Sequence, residues 1–329
     1  MRIALDAMGG DFAPGAPVGG ALEALDGLPE SAEILLVGRA RDIEAELARA
    51  GGTPERIQVV DAPEVIGMAE KPLAAVRGKP QSSIGIGLRL QREGKVHAFI
   101  SAGNTGAVMA ASALILGLHP GIERPAIGAL FPTASKPVLV LDVGANVDSS
   151  ARELRGFAHL GAVYARDVLG RSDPAVALLS IGEEAEKGNA TVREAHTLLR
   201  AETHAFRFVG NVEGRDVVRG DVDVVVCDGF IGNVVLKFYE SVAQLFTGLL
   251  RREMAATVLE SEGMRRVSAV LDYSTYGGAP LLGVRGVSVI CHGRSSARAI
   301  KNAVSVAARA VGRNLSEHIG ADMANGTAA

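Results

Sequence analysis

The chain has 329 residues, 48% of them apolar and 22% charged, and carries a net charge of −3. This composition excludes a disordered chain, and the weak acidity without basic–aromatic interleaving excludes the usual nucleic-acid binder. Two cysteines, Cys227 and Cys291, cannot build a disulfide framework; both sit in apolar runs, as reduced, buried thiols do.

Along the chain, short β-rich runs alternate with longer segments of 3.6-residue period. Strands are predicted at 3–5, 34–37, 57–60, 98–101, 126–131, 138–142, 175–180, 206–209, 222–227 and 287–291. Helices are predicted over 16–26, 40–50, 83–93, 105–116, 152–169, 187–201, 213–218, 233–260 and 294–312. This alternation predicts an α/β fold: a mainly parallel sheet with helices on both faces. No linker, repeat or low-complexity segment divides the chain. One α/β domain over 1–329 is therefore expected, with two lobes around a cleft. The opening "MRIALDAMGGD" reads as a strand and a glycine turn, not a signal peptide. The longest apolar run, 107–118, is too short to cross a bilayer. A soluble, cytoplasmic protein is expected, with a frayed tail from 321 onward.

Open parallel sheets bind ligands beyond the carboxyl ends of their strands. Here those ends repeat a theme. "LDAMGGDFAP" offers Asp6, Gly9, Gly10 and Asp11; "FISAGNTGA" offers Ser101, Gly103, Asn104 and Thr105. "LVLDVGANVD" offers Asp142, Gly144 and Asn146; "LLSIGEEAEKGNA" offers Gly182, Lys187, Gly188 and Asn189; "DGFIGNVV" offers Asp228, Gly229, Gly232 and Asn233. Glycine permits close backbone approach, and the first N–H groups of the next helix favour an anion. A single such end is equally an ordinary helix cap. Five at one sheet edge point to anion or oxyanion binding. The sequence has no G-x-x-x-x-G-K-[ST], no G-x-G-x-x-G, no G-x-S-x-G and no H-E-x-x-H or cysteine-rich metal spacing. No cofactor or metal is expected.

Eight motifs occur in one order from end to end: "DAMGGDFAP", "SAGNTGA", "LDVGANVD", "EKGN", "FVGNVEGRD", "VVVCDGFIGNVVLK", "DYSTYGGAPLLG" and "HGRSS". Together they closely resemble the bacterial fatty acyl phosphate synthase family, the acyl-[acyl-carrier-protein]:phosphate acyltransferases of phospholipid synthesis. The resemblance implies a fold like the phosphotransacetylases and the isocitrate/isopropylmalate dehydrogenases. Two departures stand out. Phe12 replaces the histidine common in the family's "GDHAP", and Cys291 replaces a small apolar residue. A base at position 12 is thereby removed, and a nucleophilic role for Cys291 loses support.

The implied reaction is attack of orthophosphate on the thioester of a long-chain acyl carrier protein, without a covalent acyl-enzyme. Positioning and preorganised donors suffice for such a step. On this reading Lys187, with Gly188 and Asn189, holds phosphate or the oxyanion. Asn233, beside Gly232, donates to phosphate or the carbonyl. Asp228 orients Lys187 or accepts a proton. Asp6 orders the Gly9–Gly10 turn, and Ser101, Gly103, Asn104, Thr105 and Asn146 line the phosphate pocket. The bland readings are a solvated lysine and helix caps. A second group, Lys71, Arg77, Lys79, Ser82 and Ser83, reads either as a phosphate clamp or as a charged loop with a cap. Seven histidines are scattered, including His204, and His292 beside Gly293 is the strongest candidate among them.

An acidic acyl carrier protein asks for a basic face. Arg251, Arg252, Arg265 and Arg266 are spaced to share one side of a continuous helix, unless Gly263 breaks it. An apolar stripe, Val242, Leu245, Phe246, Leu249 and Leu250, reads as core, as a homodimer interface, or as part of a hairpin near 242–270 in peripheral contact with the membrane. Alternatives in function are a phosphotransacetylase acting on short acyl-coenzyme A, a hydroxyacid dehydrogenase, and a non-catalytic anion sensor.

Overall fold

A computed structural model describes residues 1–133, 135–201, 206–271 and 277–326. His204 and the start of the "DYSTYGGAPLLG" motif lie outside these residues. The first strand, β1 (Arg2–Asp6), is buried on both faces beyond Arg2, which is why its sequence is a continuous apolar run. Then follow α1 (Gly15–Ala24), β2 (Glu33–Gly38), α2 (Ala40–Arg49), β3 (Ile57–Asp61), α3 (Pro72–Gly78), α4 (Ser83–Arg92), β4 (Ala98–Ser101) and α5 (Thr105–Ile115).

The chain next forms β5 (Ala126–Phe131), β6 (Val138–Leu141), α6 (Ala151–Asp167), β7 (Ala175–Leu179), α7 (Ala190–Ala201), β8 (Arg207–Val212) and β9 (Val224–Val226). Three helices come after β9: the long α8 (Gly229–Glu253), the short α9 (Ala256–Leu259) and α10 (Glu262–Leu271). The last elements are β10 (Ala279–Leu282), β11 (Val287–Ile290), α11 (Ala297–Gly312) and α12 (Leu315–Gly326).

These elements divide into two compact units, Met1–Pro125 with Tyr276–Ala329, and Ala126–Thr275. In the first, the strands run β3-β2-β1-β4-β11-β10, all parallel except β10 against β11. In the second they run β5-β6-β9-β7-β8, parallel except β5 against β6. The mainly parallel α/β class read from the sequence stands.

Several boundaries differ, each for a local reason. Helix α8 begins at Gly229, not at 233, because the Asp228 carboxylate accepts from the Ile231 N–H at 2.8 Å and caps it there. Helix α7 begins at Ala190, so Lys187 to Asn189 precede it. Helix α8 ends at Glu253, where Met254 turns extended, and α10 is a separate helix. The two arginine pairs therefore do not share a continuous helix, and the break precedes Gly263. The basic 71–79 stretch is helical as α3, with Pro72 in its first turn. Strand β10 was hidden by its brevity and by Pro280. Residues 213–218 give only a 3₁₀ turn, Asp216–Val218. The tail read as frayed from 321 is helical to Gly326, with Met323 buried. Leu245, Phe246 and Leu249 are exposed on α8, so the stripe is not core.

Candidate functional site

In the first unit the site residues gather where β1 and β4 end side by side. Asp6 is buried. Its Oδ1 accepts from the Met8 N–H at 3.0 Å, and its Oδ2 accepts from the Ser101 hydroxyl at 2.6 Å. Ser101 Oγ in turn accepts from the Gly103 N–H at 3.0 Å. Burial pushes the Asp6 carboxyl up, while hydrogen bonds from Ser101, Ser83, Met8 and Gly9 pull the other way. A Cβ at Gly9 would lie 2.6 Å from Gly103 N, so only glycine fits there. Gly10 has φ +97° and faces the Gly293 carbonyl, which accepts from Asp11 N–H at 2.7 Å. Asp6 thus braces the glycine turn against the next strand end.

Asn104 is committed within the protein. Its Oδ1 accepts from Ala107 N–H and caps α5, and its Nδ2 donates to the carbonyls of Gly67, Met68 and Glu70. It ties down the 67–70 loop instead of presenting an amide to a ligand. Thr105, the first residue of α5, is exposed beside it. In the second basic group, Lys79 Nζ pairs with Glu70 at 2.6 Å and donates to the Val65 carbonyl at 2.8 Å. Ser82 caps α4 by accepting from Gly85 N–H at 3.2 Å. A phosphate clamp from Lys79 and Ser82 would have to break these three contacts; Lys71 and Arg77 are exposed. His292 is exposed, and its Nδ1 accepts from Arg294 N–H at 3.1 Å.

In the second unit, Asp142 follows β6 and is fully buried. Its Oδ1 accepts from the N–H groups of Ile127, Gly144 and Ala145 at 3.0 to 3.1 Å. Its Oδ2 accepts from Asn146 N–H at 2.7 Å and from Asn146 Nδ2 at 3.0 Å. Asn146 is therefore a buried partner of Asp142. Burial again pushes the carboxyl up, against these hydrogen bonds. The first turn of α8 packs tightly on this loop. A Cβ at Gly229 would lie 2.5 Å from the Asn146 carbonyl oxygen, and one at Gly232 would overlap the Asp142 carbonyl. Because Asp228 provides the cap, Asn233 sits in the second turn of α8. Its exposed side chain lies over Gly144, with Oδ1 3.6 Å from where a Gly144 Cβ would be. Among the described residues no hydrogen bond engages that amide.

Lys187 stands on the loop between β7 and α7. Its aliphatic stem crosses Gly182, where a Cβ would lie 2.8 Å from Lys187 Cγ. The side chain is exposed and, among the described residues, has no ion pair. Asp228, expected to orient it, is occupied as the α8 cap. Asn189 Oδ1 accepts from Val192 N–H at 2.9 Å, and Gly188, at φ +97°, sits against Ser180 Oγ. Both cysteines are buried; burial, with Asp228 and Asp142 nearby, pushes the Cys227 thiol far up, and burial pushes Cys291 up to about 12. Neither is a thiolate nucleophile. Among the described residues no cluster could hold a metal ion.

Each unit holds one carboxylate as an internal brace, and in the second unit Lys187, on the loop after β7, and Asn233, on α8 after the adjacent strand β9, are left exposed. A family model described as "Fatty acid synthesis protein" matches residues 1–318. A phosphate acyltransferase of Heliobacterium modesticaldum is 50% identical over 331 residues, covering 97% of this chain and 98% of that relative. One from Nitratidesulfovibrio vulgaris is 45% identical, covering 96% and 93%. The chain belongs to the phosphate acyltransferase family. It is an acyltransferase, as the resemblance implied. Among solved structures, a phosphotransacetylase from Streptococcus pyogenes aligns with a TM-score of 0.64 at 17% identity, covering 94% of both chains. A 4-hydroxythreonine-4-phosphate dehydrogenase from Klebsiella pneumoniae aligns at 0.56 and 16%, covering 94% of this chain and 97% of that one. These likenesses carry the fold, and they agree with the dehydrogenase-like α/β class.

Sequence reasoning offered Asp142 as a strand-end acid without giving it a role, and did not single out Asn211. The signals were present in "LDVGANVD" and "FVGNVEGRD", where an acid or amide ends a buried strand beside glycine.

Proposed function

We propose that this acyltransferase moves a long-chain acyl group from acyl carrier protein to orthophosphate. A phosphate oxygen attacks the thioester carbon, the C–S bond breaks, and the carrier leaves as its thiol with the proton that hydrogenphosphate gave up. The product is an acyl phosphate, a precursor suited to phospholipid synthesis. The observation that carries this reading is that the Asn233 amide and the Lys187 ammonium, neither with a side-chain partner among the described residues, lie on segments that follow the neighbouring strands β9 and β7. Such a pair can neutralise phosphate and donate to the developing oxyanion. The buried, protonated cysteines support direct attack, with no acyl-enzyme.

Exposed apolar side chains support the long chain. Ile181, two residues past β7, is 83% exposed, and Phe230, in the first turn of α8 after β9, is 63% exposed; Val147, after β6, and Val234, on α8, are also exposed. Large apolar side chains at successive ligand-binding strand ends suit an acyl chain. Arg251 and Arg265 are candidates for contact with the acidic carrier. Arg252 and Arg266 are each paired with an acid of their own helix, Glu253 and Glu262, at 2.6 and 2.7 Å. The exposed α8 stripe suits a homodimer or peripheral contact with a membrane from the cytoplasmic side. No helix among the described residues is long and apolar enough to cross one.

The test is product trapping with hydroxylamine. Palmitoyl-acyl carrier protein and orthophosphate should give palmitoyl hydroxamate with wild type and at least about tenfold less with Asn233→Ala. Turnover of acetyl-coenzyme A in preference to the carrier thioester would replace this reading with a short-chain phosphotransacetylase.

A further inference from the structure

The reaction as drawn makes no use of "FVGNVEGRD", although its asparagine is placed to act on Lys187. Asn211 lies on β8 and is 5% exposed. Its Nδ2 donates to the Glu184 carbonyl at 2.8 Å. The same carbonyl accepts from the Lys187 N–H at 3.0 Å, which closes a four-residue turn ending at Lys187. On the far side, Asn189 caps α7 and Arg193 Nη1 donates to the Gly188 carbonyl at 2.6 Å. Lys187 is thus held between a helix start and a turn pinned by β8.

The other half of the Asn211 amide argues against a role in stability. Its Oδ1 is buried and, among the described residues, has no hydrogen-bond partner; Ser180 Oγ, at the end of neighbouring β7, is in the same condition. A buried acceptor without a donor carries a desolvation penalty, which an apolar side chain at 211 would avoid. Sites that break a local rule in this way tend to be functional. The Glu184 carbonyl, on an exposed residue, also accepts from the Lys187 N–H, so it is not satisfied by Asn211 alone.

We infer that Asn211 is a positioning residue that fixes the 184–187 turn and so aims the Lys187 ammonium at the reacting oxygens. This rests on the role proposed for Lys187. The experiment compares Asn211→Leu, Lys187→Ala and the double variant of the full chain, using palmitoyl-acyl carrier protein and orthophosphate. Asn211→Leu should lower kcat about tenfold, the worth of one aiming hydrogen bond, with KM for the carrier and Tm not lowered in step. Added to Lys187→Ala, it should change kcat by less than about twofold, since the group it aims is gone. Trypsin should cut after Lys187 several-fold faster in Asn211→Leu than in wild type.

Wild-type kcat in Asn211→Leu would overturn the inference, as would a full tenfold loss in the Lys187→Ala background or a loss that tracks a fallen Tm. If Asn211→Leu does not fold, Asn211→Ser, too short to reach Glu184, is read by the same criteria. Full turnover by Lys187→Ala would sink the Lys187 assignment. Trypsin cleavage would still judge the hold of Asn211 on the turn, with an unchanged rate counting against it.

Discussion

Asp6 and Asp142 solve the same problem at the ends of two buried strands. Each carboxylate collects N–H donors from its own glycine loop, which has no regular ladder to join, and a further donor from another strand, which keeps the loop's polar backbone satisfied. The cost is visible in protonation. Burial raises the folded-state value of Asp6 above the ordinary 3.8. Its stabilising contribution is therefore complete below 3.8 and lost as pH rises through the raised folded value. Asp6→Asn does not titrate there, so wild type should gain in Tm relative to the variant as melts move from pH 7 toward pH 4; an opposite drift contradicts the burial argument. Gly182 is a second residue-scale lever. A Cβ there meets Lys187 Cγ and Glu184 Oε2, each at 2.8 Å, so Gly182→Ala must displace the lysine stem. The variant should fold normally and lose about tenfold or more in kcat; unchanged kcat would remove the steric account. The glycines and acids were legible in the sequence. The donors that hold the acids were not, because Ser101 for Asp6 and Ile127 for Asp142 come from strands distant in sequence.

Helix caps decide what the elements present. Asp228 takes the N-cap of α8, which frees Asn233 from capping and seats Gly229 and Gly232 against the Asp142 loop. Asp228→Ala should cost about 1 kcal/mol in stability, read by denaturant melts, with α8 otherwise intact. A loss of catalysis far beyond what Tm explains would restore Asp228 to the chemistry. Position alone could not separate cap from catalyst here: Asp228 and Asn233 both stood near a predicted helix start, and the helix begins four residues earlier than predicted, which gives the cap to Asp228. Asn104 shows the same limit in the first unit. Its cap was readable from "GNTG", but its three bonds to the 67–70 loop depend on a contact some thirty-five residues away in sequence. Short elements, α3 and β10, escaped because their pattern is too brief to show a period.

For the whole molecule, periodicity alone was enough to give a mainly parallel α/β class, since buried parallel strands announce themselves as apolar runs. The exposure of Ile181 and Phe230 was hidden, because a sequence does not say which of its apolar side chains face water. These two side chains make a prediction about substrate range. If Ile181 and Phe230 contact the acyl chain, each buried methylene is worth about 0.8 kcal/mol. Ile181→Ser and Phe230→Ser should then lower kcat/KM for palmitoyl thioesters by about tenfold or more while changing it less than about twofold for butyryl thioesters. Equal losses at both lengths would take the chain elsewhere.

The central claim is that phosphate itself attacks the thioester. Rapid-mixing measurement of thiol release from palmitoyl-acyl carrier protein, with and without orthophosphate, tests it most directly. The account predicts no burst without phosphate, a rate that rises with phosphate, and a rate at least about tenfold lower in Lys187→Ala. A stoichiometric burst of thiol in the absence of phosphate would mean an acyl-enzyme and would contradict it.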